Sequence, residues 1–253
     1  MDIIKSRQNK LIAHLRKLGT DGDYRRRSGE FLCQGVKLYD EARASGAEIR
    51  SVIAAPGFEP FPEGAHAVSR ELLEYVSPMK NAPELIFSCA VGREKSELRG
   101  RLIMLENMQD PGNVGTIMRT ARAFGMDGVI LAGECADPYN PKSVRASMGA
   151  VFSLNIYAAP EGKCPLPLYA AALSDTARTA LDFEFPDEYV LAVGNEGHGL
   201  SEKLTAEADG IIKIPMESGS ESLNAAAAAA VLMWISYSGN LKKTRERTER
   251  ENG

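Results

Sequence analysis

Three short loops hold the residue types from which a reactive centre can be made. The first, Asn107-Met-Gln-Asp-Pro-Gly-Asn113, leads into a segment carrying Arg119 and Arg122 and ending at Gly125. Asp110-Pro111-Gly112 is turn chemistry, Asn113 reads as the N-cap of a helix Asn113–Phe124, and Gly125 reads as its left-handed stop. On that helix Val114, Ile117, Met118 and Ala121 make an apolar face, and the two arginines project on another. The second loop, Val193-Gly-Asn-Glu-Gly-His-Gly-Leu-Ser201, sets three glycines straight after an apolar run, which lets a ligand approach the backbone closely and presents the Glu196 carboxylate there. The third, Ile214-Pro-Met-Glu-Ser-Gly-Ser-Glu-Ser222-Leu-Asn224, precedes the alanines Ala225–Ala230, with Ser222 able to cap the helix that follows. Each loop alone reads equally well as structure: a capped surface helix, a tight turn, and a buried alanine helix. His198 stands alone and is taken as incidental.

The glycine order excludes two familiar sites. G-x-x-G-x-G is not a dinucleotide fingerprint, no acidic residue follows at the distance that would hold a ribose, and without Lys-Ser/Thr there is no phosphate-cradling P-loop. The four cysteines, Cys33, Cys89, Cys135 and Cys164, are widely spaced with no His cluster, so neither a zinc site nor a disulfide framework is expected, and a reducing cytoplasm fits.

The elements that position these loops repeat strand, loop and helix from Arg101 onward. Strands are expected at Leu102–Leu105, Val129–Ala132, Phe152–Ile156, Ala170–Ser174, Tyr189–Val193 and Ile211–Ile214. Helices are expected at Asn113–Phe124, Lys142–Met148, Ser201–Ala206 and Leu223–Tyr237. The fold class is therefore α/β, a mostly parallel sheet covered by helices on both faces, whose ligands sit beyond the carboxyl ends of the strands. Ahead of it lies a smaller α/β domain. It has a basic helix Asn9–Leu18, a Gly/Asp/Arg loop to Gly29, strand and helix through Phe31–Ser45, and strands Ile49–Ala54 and Leu85–Ala90. Val91–Gly100 reads as a linker. The domains are thus 1–95 and 96–240, followed by a charged tail 241–253 expected to be a frayed helical extension or disordered.

Net charge is −4 over 253 residues, with no run apolar enough to span a membrane and no secretory signal. Residues 1–30 nevertheless hold eight basic against four acidic residues. The cluster Arg25, Arg26 and Arg27 within them is a candidate for phosphate contacts with RNA.

Read together, N-x-x-D-P-x-N-x-G-x-x-x-R-T-A-x-x-F-G, G-N-E-G-x-G-L-S and I-P-M-x-S-G-x-x-S-L-N resemble the three motifs of the SpoU/TrmH RNA ribose methyltransferases, of the SPOUT superfamily, in order and at fitting spacing. They span Leu102 to about Tyr237. The opening, SRQNKLIAHLRKL and RRRSGEFLCQG, resembles the substrate-binding domain that precedes the catalytic domain in many members. The resemblance implies a deep trefoil knot at the C-terminus and S-adenosylmethionine as cofactor, held by Gly194, Ile214 and Leu223. It also implies catalytic or RNA-handling roles for Asn113, Arg119, Glu196, Ser222 and Asn224, with no metal. The implied substrate is a ribose 2′-hydroxyl of structured RNA, with rRNA favoured over tRNA and DNA inert because it lacks that hydroxyl. A non-catalytic RNA-binding or ribosome-assembly factor on the same fold is the alternative from another class.

The family's suggested chemistry makes Arg119 the base. A free guanidinium loses its proton only above about pH 12, which favours a grip on phosphate and stabilisation of developing oxyanion charge instead. Glu196 is expected to position Arg119 or Asn224. Members pair through helices beside the knot, so a homodimer is implied, with Val231, Leu232, Trp234 and Ile235 as its apolar face. Two departures from the family pattern stand out. Alanines replace two valines after Asn224, and residues 157–188 are short, with Pro160–Pro167 where a longer helix is expected.

Overall fold

The computed structural model describes residues 3–92, 97–174, 176–217 and 222–251, and for 242–251 the backbone only. Residues 93–96 of the expected linker lie outside the described residues. The chain forms two compact units, Met1–Arg93 with Asp137–Ser153, and Glu94–Ala136 with Leu154–Gly253.

The first unit is built on four strands, β1 (Glu30–Gln34), β2 (Ile49–Ala54), β3 (His66–Ala67) and β4 (Leu85–Ala90), in the order β1-β4-β2-β3. β4 runs antiparallel to both neighbours, and β3 runs parallel to β2. One core joins Leu32, Ile53 and Ile86 of the sheet to Ile12, Leu15 and Leu18 of α1 (Lys10–Thr20). Leu72, Leu73 and Val76 of α4 (Arg70–Val76) complete it. In α1 the apolar positions recur at three- and four-residue spacing and Asn9 caps its first turn, accepting from the Leu11 N–H at 2.9 Å.

Two expectations change in this unit. The Gly/Asp/Arg stretch is a helix, α2 (Gly22–Ser28), because the Asp21 side chain caps it through the Tyr24 N–H at 2.9 Å and Gly29 closes it at φ 65°. That helix turns Arg25 inward. The Arg25 side chain is buried, donates to the Leu18 carbonyl at 2.8 Å, and pairs with Asp137 at 2.7 Å. Arg26 is exposed and pairs with Asp23. Arg25 therefore leaves the expected phosphate patch and becomes a structural tie to 137–153. That segment holds α6 (Pro141–Ser147) and is fixed further by Phe31, whose ring lies 4.9 Å from Tyr139 and 6.1 Å from Phe152. α3 (Val36–Ala44) completes the unit.

The second unit is a seven-stranded sheet in which every pairing is parallel. Its strands are β5 (Arg101–Glu106), β6 (Gly128–Ala132), β7 (Asn155–Ala158), β8 (Leu168–Ala171), β9 (Arg178–Thr179), β10 (Tyr189–Val193) and β11 (Gly210–Lys213), in the order β7-β6-β5-β10-β8-β11-β9. All six expected strands overlap these closely or in part, and β9 is additional. β7 starts later than expected because Ala150–Phe152 is a 3-10 turn, and β8 starts earlier because Pro167 ends the loop before it. Between β7 and β10 the described residues hold no α-helix, only a 3-10 turn at Ala180–Asp182.

Successive strand residues point to opposite faces, and both faces are buried, which explains the nearly continuous apolar runs. Leu102, Met104, Ile130, Val190 and Ala192 form one core, against which Leu204 of α7 (Glu202–Glu207) packs. On the other face α5 (Pro111–Ala123) and α8 (Ala225–Glu251) pack on each other. The fully buried Tyr189 hydroxyl shares a 2.5 Å hydrogen bond with Ser236, tying α8 to β10. Burial pushes that phenol's pKa up, so it stays protonated. α8 continues to Glu251, into the stretch expected to be a frayed helical extension or disorder.

Arg25→Ala is expected to lower the unfolding free energy of the first unit by about 3 kcal/mol, since removal of one partner strands the other in a half-buried place. Arg27→Ala, at an exposed position, should change it by less than about 0.5 kcal/mol, as is usual for surface replacements. Equal effects of the two in urea titrations would contradict the structural role of Arg25.

Candidate functional site

The three loops leave the carboxyl ends of β5, β10 and β11, neighbours or near neighbours in the sheet, so the topology gathers them at one edge. Beside them opens a cavity of about 780 Å³, within the range of small-molecule sites. Gly194, Ile214 and Leu223, the three residues expected to hold a cofactor, all line it, as do Glu196 and Ser222. Ala171, Val193, Ile212 and Leu232 give it an apolar wall, and residues 194–200 line it as well.

Gly194 is explained differently from the expectation that a ligand needs its bare backbone. A Cβ built there would lie 2.1 Å from the Gly199 carbonyl carbon and 2.3 Å from the Leu200 nitrogen. The loop folds on itself: Asn195 and Gly199 exchange backbone hydrogen bonds at 3.2 and 2.8 Å, and the Gly197 N–H donates to Asn195 Oδ1 at 2.8 Å. Gly199, at φ 67°, is the position that needs glycine for conformation. Gly194 is thus required by contact between two backbones of one loop, which shapes the cavity indirectly.

Two side chains that the sequence reading passed over hold this loop. Glu106, the last residue of β5 and only 9% exposed, accepts from both the Ser201 N–H and its hydroxyl, each at 2.7 Å. Ser201 at the same time caps α7 through the Leu204 N–H at 3.1 Å. Asn195 Nδ2 donates to the Asn107 carbonyl at 3.1 Å. An acid closing an apolar strand and a serine opening a helix were the available signals.

Asn113, Glu196 and Asn224, one from each loop, meet. Asn113 Nδ2 donates to Glu196 Oε1, and Asn224 Nδ2 lies 3.5 Å from Asn113 Oδ1. Asn113 is free to do this because it is not the N-cap: Asp110 caps α5 through the Gly112 N–H at 2.9 Å, with Pro111 at the first helical position. Likewise Asn224 rather than Ser222 caps α8, accepting from the Ala226 and Ala227 N–H groups at 2.9 and 3.3 Å. Glu196 engages Asn113, not Arg119. Arg119 is exposed on α5 and has no hydrogen-bond or ion-pair partner among the described residues. A guanidinium with no partner among the described residues is suited to an anionic ligand.

Burial raises the pKa of the Cys135 and Cys164 thiols, which keeps them protonated and poorly nucleophilic. Among the described residues no cluster of three His, Cys, Asp or Glu side chains forms a metal site. No helix of the described residues is long and apolar enough to cross a membrane.

With this geometry in view, the similarities to known proteins fall into one group. The SpoU rRNA Methylase family model matches residues 100–234. Across 92% of the chain and 98% of the relative, the sequence is 28% identical to the 23S rRNA (guanosine(2553)-2'-O)-methyltransferase RlmP of Bacillus subtilis. It is 30% identical to the 23S rRNA (uridine(2479)-2'-O)-methyltransferase of Streptomyces viridochromogenes, covering 83% of each. The crystal structure of the SpoU methyltransferase AviRb from Streptomyces viridochromogenes, in complex with AdoMet, superposes with a TM-score of 0.81 at 27% identity over 92% of this chain and 99% of that one. An AdoMet-bound rRNA methyltransferase from Sinorhizobium meliloti gives 0.78 at 25% identity, over 93% and 97%.

Glu106→Ala should free the Gly194–Ser201 loop without unfolding the sheet. Two donors of Ser201 lose their acceptor, a loss of about 1–3 kcal/mol, or roughly 5- to 150-fold faster amide hydrogen exchange at the Ser201 N–H. Protection at Ser201 equal to that of the unaltered protein would show that the carboxylate does not hold the loop.

Proposed function

Since the chain belongs to the SpoU rRNA methylase family, we propose that it transfers a methyl group from S-adenosylmethionine to a ribose 2′-hydroxyl of ribosomal RNA. The observation that carries this reading is the convergence of the three loops. They line one cofactor-sized cavity with Gly194, Ile214 and Leu223, and beside it they join Asn113, Glu196 and Asn224. Two relatives, matched over 92% and 83% of the chain, are named for 23S rRNA, which supports rRNA over tRNA.

The cavity fits this cofactor in size and in its apolar wall, and Gly194, Ile214 and Leu223 would hold it there. The bound cofactor supplies an electrophilic methyl group. The protein's share is to orient the 2′-hydroxyl in line with that methyl and to make its oxygen nucleophilic. Arg119 grips the target phosphate and stabilises charge developing on the ribose oxygen, and a guanidinium with no partner among the described residues supports that role. If Arg119 also accepts the proton, a phosphate oxygen or a water must relay it, because guanidinium itself is a very weak acid. Asn113, fixed by Glu196, and Asn224 orient the ribose, with Ser222 at the cavity rim. Glu196 acts through Asn113 and is a positioning residue.

Two further parts of the reading concern assembly. The trefoil knot is supported by the order of the strands: β11 lies between β8 and β9 although it follows both in the chain. The homodimer is supported by α8, which leaves Val231 37% and Trp234 50% exposed, with Trp234 against Phe124 at 5.6 Å. Leu232, by contrast, is buried within its own unit. A cytoplasmic location accords with an rRNA substrate and four free thiols.

The direct test is incubation with labelled S-adenosylmethionine and deproteinised rRNA from cells lacking the gene, followed by ribose-methylation mapping. One protected 2′-position is expected, and no transfer to DNA of the same sequence. Arg119→Lys keeps the charge but loses the planar fork, so it should retain cofactor affinity while turnover falls roughly 10²–10³-fold. Gly194→Val should instead abolish cofactor binding, as its side chain collides with the backbone at Gly199. Near-normal turnover by Arg119→Lys would remove Arg119 from the mechanism. Light scattering should return twice 27.4 kDa at micromolar concentration, and a monomeric mass would contradict the dimer.

A further inference from the structure

Between residues 3 and 20 the chain carries Lys5, Arg7, Lys10, Arg16 and Lys17 and not one acidic residue. None of the five makes an ion pair among the described residues, although Arg25, Arg26, Arg50, Arg70 and Arg99 all do. The arrangement works against the helix that bears it. α1 has no acid in its first turn and begins with Lys10, where the helix dipole disfavours a cation.

Two of these cations converge on one aromatic ring. The Arg7 guanidinium carbon lies 4.7 Å from the centroid of Tyr75, and that of Arg16 lies 5.3 Å from it. Tyr75 is itself half-buried against the α1–α4 core, so the ring is a fixed platform. On the other flank of α1, Lys17 lies 5.3 Å from the ring of Tyr24, which His14 holds through a 2.9 Å hydrogen bond to the hydroxyl. Each ring attracts the cations above it and restricts their rotamers, while leaving their N–H groups unpaired. Two guanidiniums on one ring also repel each other, and an anion bound between them relieves that repulsion.

The geometry points to the outer face of α1 as the surface that grips the phosphate backbone of the RNA substrate, with Arg7 and Arg16 as a tyrosine-supported clamp on one strand. This rests on the proposed action on rRNA, and it places the RNA contact on α1 rather than on the Arg25–Arg27 cluster, whose first member is buried. RNA is the fitting polyanion because it offers the cations of this segment repeating phosphates, and because guanidinium forks take phosphate in two-point contacts.

The test compares Arg7→Gln/Arg16→Gln with Arg50→Gln/Arg99→Gln, which removes the same charge from two exposed arginines that already have carboxylate partners. Binding to deproteinised rRNA is measured from low to high salt. The first pair should weaken binding about tenfold and flatten the salt dependence by roughly 1.4–1.8 in log–log slope, as the loss of two phosphate contacts requires. The second pair should change neither. Tyr75→Leu, which keeps both charges but removes the platform, should weaken binding several-fold. Cofactor affinity should be unchanged in all three. Equal weakening by the two arginine pairs, or an unaltered slope for the first, would overturn the clamp. Unaltered protein that binds rRNA yet transfers no methyl group would instead count against the proposed reaction, since the salt slopes remain readable without turnover.

Discussion

Glu106 sits at the end of a central strand with almost no access to water, and a carboxylate so placed must find donors inside the protein. It finds both on Ser201, and that single residue anchors the far end of the glycine loop and begins α7. The near end is set by Gly194, pressed against the backbone of Gly199 and Leu200. The loop between them therefore has little freedom, and the cavity wall and the place of Glu196 follow from it. Asn113 is then held by Glu196, and Asn224 by proximity to Asn113, so three separate loops share one arrangement.

The parallel sheet makes this economy possible. In a parallel sheet all carboxyl ends emerge on one side, and loops far apart in sequence become neighbours there. β5 and β10 pair directly, which brings Glu106 and Asn107 to the loop that begins at Gly194. The helices serve the same end. α5 presents Asn113 in its first turn and Arg119 two turns later, and α8, capped by Asn224, closes the opposite side. Division of labour between the units is equally physical. The buried Arg25–Asp137 pair and the Phe31–Tyr139–Phe152 stack make 137–153 part of the first unit's core, although its flanking strands belong to the second.

Much of the site was legible because it is written in local chemistry. Gly194, Ile214 and Leu223 stand out by motif, and the structure brings all three to one cavity. Asn113, Glu196 and Asn224 stand out likewise, and they meet. What local reading mistook were the partners. Asn113 and Ser222 both carry cap-forming side chains, so both were assigned caps that Asp110 and Asn224 in fact provide. Either residue of each pair satisfies the local pattern, and only the path of the chain selects one. Glu106 was passed over because an acid at a strand end is usually a solvated residue, and its burial depends on a loop 95 residues away.

By itself, then, the sequence determined the α/β alternation, the three loops, the family, and the residue types available for chemistry. These depend on spacing within a few turns or on motif identity. Tertiary structure alone decided that Arg25 is a core ion pair rather than a phosphate contact, that Gly194 answers to Gly199, and that 137–153 packs with the first unit. It also decided that Arg7 and Arg16 share one tyrosine. Each of these turns on contacts between segments distant in the chain, where burial and pairing, not residue type, set the outcome.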